Sequence, residues 1–252
     1  MIKIFRRLRH KLLSENKLSK YLIYALGEIV LVVIGILIAL QINNLNEQRK
    51  QKNLEQNYLR SLKKEFENNL IEVDRVIELT AKLHDNAQEM AKYTGPKLLN
   101  ITEKKFGELY FGTINSEVQY RPGSGVLNEI INSGKLNIFQ NKGLKNALAT
   151  LDAMLLQIRF QENEELSEVR RSLIIIGREN ASQRRMAYDA FGGLFGVDEG
   201  RFVDSNKHLL TSMKFDNLIT GFIFTSGYLK SRYEAMKKQL KIVVDIINAQ
   251  IK

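Results

Sequence analysis

Residues 21–42 read YLIYALGEIVLVVIGILIALQI, and this stretch decides the architecture of the chain. Fourteen of its residues are leucine, isoleucine or valine, and Glu28 is its only acid or base. As a helix it would span about 33 Å, which is enough to cross the hydrocarbon core of a bilayer. The aliphatic residues favour insertion by about 0.3–0.6 kcal/mol each, which outweighs roughly 2.5–3.5 kcal/mol for a central acid. The stretch is therefore predicted to be a transmembrane helix.

The flanks of this helix predict that it is retained and fix its orientation. A secretory signal peptide has a shorter apolar region and a small-x-small cleavage site, whereas here Ala39 is followed by Leu-Gln-Ile-Asn-Asn. Lys17 and Lys20 come directly before the helix, and no base follows it until Arg49. Because cytoplasmic flanks carry the excess of lysine and arginine, we expect an inner-membrane protein with a cytoplasmic N-terminus and a periplasmic C-terminal domain.

The basic character of the chain is concentrated in residues 1–20. This arm carries seven bases against Glu15, a charge of +6, out of a formal charge of +10 for the whole chain. A basic segment beside a bilayer sets topology and attracts anionic lipids, so we expect the lipid bilayer, and no nucleic acid, as its partner. The arm is amphipathic, which also fits a helix in the headgroup layer. Its bases expected at the membrane surface are Arg6, Arg7, Arg9 and Lys11.

One face of the predicted membrane helix combines an acid with two small residues. The positions on this face are Glu28, Val32, Gly35, Ala39 and Ile42. Small residues let helices approach closely, so this stripe is predicted to associate membrane helices. An intramembrane carboxyl needs a partner or water. Three roles for Glu28 follow: a hydrogen bond across an oligomer interface, contact with another membrane protein, or a proton-linked step.

Residues 43–252 are predicted to form an elongated extracytoplasmic helical bundle. The chain has only two prolines, and its content of good helix formers favours an all-α fold. Apolar residues recur at three-to-four spacing in three stretches, which predicts three long helices near residues 44–92, 141–177 and 218–251. Shorter helices are expected near 102–111 and 124–133. Each long helix has one apolar stripe to bury, which fits an antiparallel bundle.

Three local features refine this prediction. Ser124 is expected to cap the second short helix and Gly134 to follow its C-terminus. Glu162 interrupts the apolar seam of the second long helix. Together with Glu164 and Glu165 it is expected on a solvated helix face.

The stretch 178–213 has the least regular pattern of the exported part. If the first long helix leads outward and the second returns, this stretch lies near the membrane. Its Phe-Gly-Gly-Leu-Phe-Gly run makes Phe191, Leu194 and Phe195 a candidate partner loop. The alternative is a small satellite core beneath a loop.

Two segments of the chain carry a family resemblance. The run GEIVLVVIGILIALQINN at residues 27–44, preceded by KLLSENKLSKYLIYA at 11–25, resembles the N-terminal signature of an uncharacterised family of Gram-negative bacterial envelope proteins, a domain of unknown function. NSGKLN at 132–137 and NKGL at 141–144 resemble a second familiar stretch. Leu45 stands where that family usually has tryptophan. The resemblance implies a single-pass, inner-membrane helical protein and no particular activity.

The chain contains none of the recognisable catalytic motifs. There is no cysteine, which excludes disulfides, thiolate metal sites and cysteine nucleophiles. The three histidines, His10, His84 and His208, are far apart, and none belongs to a His-Glu-x-x-His motif. No phosphate-binding glycine loop or nucleophile elbow occurs. We therefore expect a non-enzymatic protein with no cofactor and no metal.

Three functional hypotheses follow. The first is an oligomerising scaffold or a subunit of a membrane complex, in which the stripe associates the anchors and the following helix continues the contact as a coiled coil. The second is an extracytoplasmic ligand-sensing module that signals through a partner, with a small-molecule ligand that the sequence does not identify. The third is a proton-linked motor or transport accessory that depends on Glu28.

Overall fold

The structure is a computed structural model that describes residues 18–202 and 205–251. All regular secondary structure within these residues is helical, which confirms the predicted all-α class. The chain divides into two units, Met1–Glu55 and Gln56–Lys252.

Helix α1, Leu18–Ala91, runs without interruption for 74 residues. The predicted membrane segment and the first of the three predicted long helices are therefore one element. In the first unit this helix is long and apolar enough to cross a membrane. It ends before the Thr-Gly-Pro sequence at residues 94–96. There Gly95 adopts a φ of 146° and donates its N–H to the carbonyl of Leu210 at 3.0 Å.

Two short helices follow close to the predicted positions. Helix α2, Glu103–Ile114, is capped by the hydroxyl of Thr102, which accepts the N–H of Lys105. Helix α3, Gly125–Asn132, starts after Ser124, but the Ser124 side chain caps no backbone amide.

The N-terminus of α3 is capped from another helix instead. The carboxylate of Glu65 in α1 accepts the N–H groups of Val126 at 2.7 Å and Leu127 at 3.2 Å. Gly134 has a φ of 68° and ends the helical turn as predicted, before a short 3₁₀ turn at Lys135–Ile138.

The second long helix contains a wider turn at its centre. Helix α4, Lys142–Phe160, leads into a six-residue π turn, Gln161–Leu166, and then into helix α5, Ser167–Asn180. Asn141 caps α4 by accepting the N–H of Leu144. Ile158, before this turn, and Glu162 and Leu166, within it, are all buried, so the core-facing side of the helix continues through the turn.

The remaining elements lead to the last long helix. Helix α6, Gln183–Phe191, is capped by Ser182. It is followed by 3₁₀ turns at Leu194–Gly196 and Lys207–Thr211. Helix α7, Met213–Asn248, begins at the cap Ser212 and runs almost to the end of the described chain.

Side-chain contacts in the second unit give the direction of each long helix. Helix α7 runs antiparallel to α1, through contacts of Gln56 with Gln250, Asp74 with Lys237, and His84 with Ser226. It also runs antiparallel to α4, through contacts of Ala147 with Gln239 and Gln157 with Arg232. Helices α1 and α4 are therefore parallel, and the expectation that the second long helix returns along the first is wrong.

The chain returns along α1 in the connecting segment, residues 92–141. Its successive contacts with α1 step backwards along that helix, from Gly112 with Asn86 to Gly123 with Asn69 and Glu129 with Tyr58. The stretch 178–213 therefore packs at the end of this unit where α1 finishes, for example through Ser205 on Glu103 at 2.6 Å. The premise that placed this stretch near the membrane does not hold.

The packing of α2 against α6 requires a glycine. A Cβ atom on Gly107 would lie 2.8 Å from the carbonyl oxygen of Met186 and 3.0 Å from the Cβ of Ala190. Gly221 in α7 offers a matched comparison, because a Cβ there would make an ordinary contact with Val169 at 3.7 Å.

We expect Gly107→Ala to lower the free energy of unfolding by about 1–3 kcal/mol, because the α6 backbone must move to make room. Gly221→Ala should raise it by up to about 1 kcal/mol, since alanine favours helix and fits the space. Urea unfolding of the full chain in micelles, followed by circular dichroism, measures both. Equal effects of the two substitutions would contradict the tight α2–α6 contact.

Candidate functional site

A buried carboxylate lies at the centre of the second unit. The side chain of Glu162 is 1% exposed and accepts three hydrogen bonds. Its Oε1 accepts the backbone N–H of Tyr120 at 2.7 Å and the hydroxyl of Tyr233 at 2.6 Å. Its Oε2 accepts Nη1 of Arg159 at 2.8 Å. The expectation of a solvated face for Glu162 is therefore wrong.

The donors come from three parts of the fold. Tyr120 belongs to the connecting segment, Tyr233 to α7, and Arg159 to α4, one turn before the carboxylate. A buried charge is tolerated when it is paired and its remaining lone pairs are satisfied. This arrangement meets that requirement and joins three chain segments at one point.

Two tyrosines pack beside this carboxylate. The rings of Tyr120 and Tyr233 are 6.3 Å apart and nearly edge to face. Burial raises the pKa of Tyr233 well above its usual range, and its hydrogen bond to Glu162 raises that pKa further. Burial also raises the pKa of Tyr120, with an added contribution from the nearby charge of Glu72. Both hydroxyls are therefore held protonated at neutral pH.

A cavity of about 500 Å³ lies next to this cluster, with Tyr120 in its wall. It is enclosed by α1, the connecting segment with α3, α4 and α7, and its lining is mainly aliphatic. Its size falls in the range of about 300–1,000 Å³ found for small-molecule sites. No sequence motif predicted it, because its walls come from four distant parts of the chain.

The predicted association stripe lies on α1 in the first unit. Val32, Ala39 and Ile42 are exposed, and Glu28 is partly buried. A Cβ on Gly35 would have no atom of the described chain within 4 Å. The stripe is therefore exposed, and at Gly35 the helix backbone itself is accessible because no side chain covers it.

The other predicted surface residues belong to the basic arm and to the candidate partner loop. The basic arm with Arg6, Arg7, Arg9 and Lys11 lies outside the described residues.

In the candidate partner loop, Leu194 is exposed. Phe191 is 42% exposed, and its ring lies 5.3 Å from that of Phe111 in α2. The Phe191 ring is therefore partly exposed and partly packed against Phe111. The side chain of Phe195 is outside the described part.

The two described histidines make separate polar contacts. His84 Nδ1 lies 2.9 Å from the Ser226 hydroxyl, and His208 Nε2 lies 2.6 Å from the carbonyl oxygen of Asn180. Within residues 18–202 and 205–251, no group of three or more histidine, cysteine or acidic side chains is arranged to hold a metal ion.

Over the residues that the structure describes, the protein is all-helical, with one apolar helix long enough to span a membrane and a second unit built around a buried carboxylate. Residues 28–174 match a family of unknown function, DUF6090, over more than half of the chain. The protein belongs to that family. No curated protein and no solved structure matches the chain.

We expect Tyr233→Phe to lower the free energy of unfolding by about 1.5–3 kcal/mol at neutral pH, since it removes a hydrogen bond to a buried charge. Tyr228→Phe on the exposed face of the same helix should change it by less than about 0.5 kcal/mol. Urea unfolding of both variants tests this. Indistinguishable midpoints would show that the hydrogen bond from the Tyr233 hydroxyl to Glu162 does not stabilise the fold.

Alkaline pH gives a second measurement of the same cluster. Because burial raises the pKa values of Tyr120 and Tyr233, the folded chain keeps protons that the unfolded chain loses above about pH 10. Their stabilisation is present below that pH and declines above it, by about 1.4 kcal/mol per pH unit for each tyrosine. Tyr233→Phe should reduce the slope of this decline by about 1.4 kcal/mol per pH unit, the contribution of one tyrosine. An unchanged slope in urea titrations between pH 9.5 and 11.5 would contradict the assignment.

Proposed function

We propose that this protein is a non-enzymatic, single-pass inner-membrane protein of a Gram-negative bacterial envelope that works by self-assembly through its membrane helix. The N-terminal arm lies in the cytoplasm, and the helical unit from residue 43 onward lies in the periplasm. One observation carries the proposal: residues 29–42 of this apolar helix are exposed in the described chain, and Gly35 leaves open space on the face that bears Glu28.

The exposed side chains support a lipid and helix environment for this segment. Leu31 is 73% exposed and Ile42 is 63% exposed in the described chain. Aliphatic surface of this extent is unfavourable in water, so lipid or other helices must cover it. The positive flank, with Lys17 and Lys20 and no base after the helix until Arg49, supports the orientation.

Close approach of two such helices would begin at Gly35 and Ala39. A small-xxx-small pair brings two backbones within van der Waals contact, which strengthens packing where lipid provides no hydrophobic driving force. In that geometry Glu28 comes near its counterpart and can share a hydrogen bond with it. Leu45, which is 47% exposed, continues the same face three residues after Ile42 and extends the contact as a coiled coil.

We expect Gly35→Ile to weaken self-association at least tenfold, because the added side chain separates the two backbones. Gly27→Ile is the matched control. It adds the same side chain where the described chain also leaves open space, about a quarter turn away from the stripe. Cross-linking and native mass spectrometry in mild detergent measure the population of oligomers.

Equal association of both variants would refute the stripe as the interface. A monomer that always copurifies with one different membrane protein would replace self-assembly with the role of a subunit in a larger complex.

A further inference from the structure

The cavity beside Tyr120 offers a second activity, distinct from assembly. We propose that it binds a single-chain amphiphile, with one acyl chain in the cavity and an acidic head group at its mouth near Lys145. Fatty acids and lysophospholipids share this chemistry.

The inner wall of the cavity accommodates hydrocarbon. Phe66, Leu148, Leu151 and Leu240 line it and belong to the buried core. Water in such a space would find few of the two to four polar partners that it needs. An aliphatic chain fills the space and contacts the wall along its length.

The polar groups on the inner wall are already engaged with the protein's own backbone. The Asn69 amide donates to the carbonyl of Gly123 at 2.8 Å and accepts its N–H at 2.7 Å. The Tyr120 hydroxyl donates to the backbone carbonyl of Asn69 at 3.4 Å. Since the deep surface presents no unused amide to a ligand, the buried part of the occupant must be apolar.

The mouth has the opposite character. Asn128 and Asp152 are exposed there, and Lys145 is partly exposed. Lys145 makes no ion pair with any residue that the structure describes. It is the fourth residue of α4, at the end of the first turn, where the positive end of the helix dipole also favours an anion.

Asp152 limits where an acidic head can sit. It stands two helical turns after Lys145 on the same side of α4, about 10 Å along the axis. Like charges repel, so the head group belongs at the Lys145 end and the chain extends along α4 toward Leu155. This fixes the orientation of the ligand in the cavity.

A photocross-linking experiment tests the proposal on the full chain in lipid nanodiscs. Two probes are used in parallel, a diazirine derivative of palmitic acid and one of lysophosphatidylglycerol. The labelled peptides are then identified by mass spectrometry. We expect labelling of α3 and α4 in addition to α1. The labelling of residues 25–42, which face lipid in either case, serves as the internal reference.

The control pair consists of two exposed alanines on α4. Ala149 lines the cavity at its mouth and Ala153 does not. Ala149→Phe should reduce cavity labelling at least fivefold relative to the reference, while Ala153→Phe leaves it unchanged. Lys145→Gln should weaken competition by unlabelled palmitate at least threefold. Matching unfolding midpoints of the three variants confirm that each is folded.

The two probes separate the sources of the ligand. Preferential cavity labelling by one identifies its head group as the preferred one, and equal labelling supports recognition of the shared acyl chain and acid. Labelling confined to residues 25–42, or equal cavity labelling in the two alanine variants, would overturn the proposal. Neither result bears on self-association, which is measured separately with the Gly35 variant.

Discussion

The second unit depends on the need to satisfy one buried charge. The carboxylate of Glu162 has lost its water, and a charge in that position is stable only if donors replace the water it has lost. The three donors are the backbone N–H of Tyr120, the Tyr233 hydroxyl and the Arg159 guanidinium. Because the donors come from separate segments, those segments must be aligned in one register. The apolar core packs around the point where they meet.

The same requirement explains the irregular parts of the fold. The connecting segment reaches Glu162 by running back along α1. Two hydrogen bonds between the Asn69 side chain and the Gly123 backbone hold it there. The segment then enters α3, whose first amides are capped by Glu65 of α1. The cavity to which we assign an amphiphile lies beside this short helix.

Prediction from sequence succeeded where the pattern is local and repeated. The long apolar run after Tyr21, the three-to-four spacing of the three long helices, and the stop before Pro96 depend on neighbouring residues, so they can be identified from a single chain. The interruption at Glu162 was visible as well, since it occupies a seam position. Its burial was missed because charge alone favours solvent, and two of the three donors that reverse this preference are distant in sequence, Tyr120 being 42 residues before Glu162 and Tyr233 71 after it.

What the sequence by itself determined is the helical class, the apolar span and the face that bears Glu28 and Gly35, because periodicity and transfer free energy act along a single helix. Only the tertiary structure decided that α1 and α4 are parallel, that Glu162 is enclosed, and that a cavity opens beside Tyr120. These features arise where distant segments meet. Hydrogen-bond satisfaction and packing volume depend on which segments come into contact, so no single segment determines them.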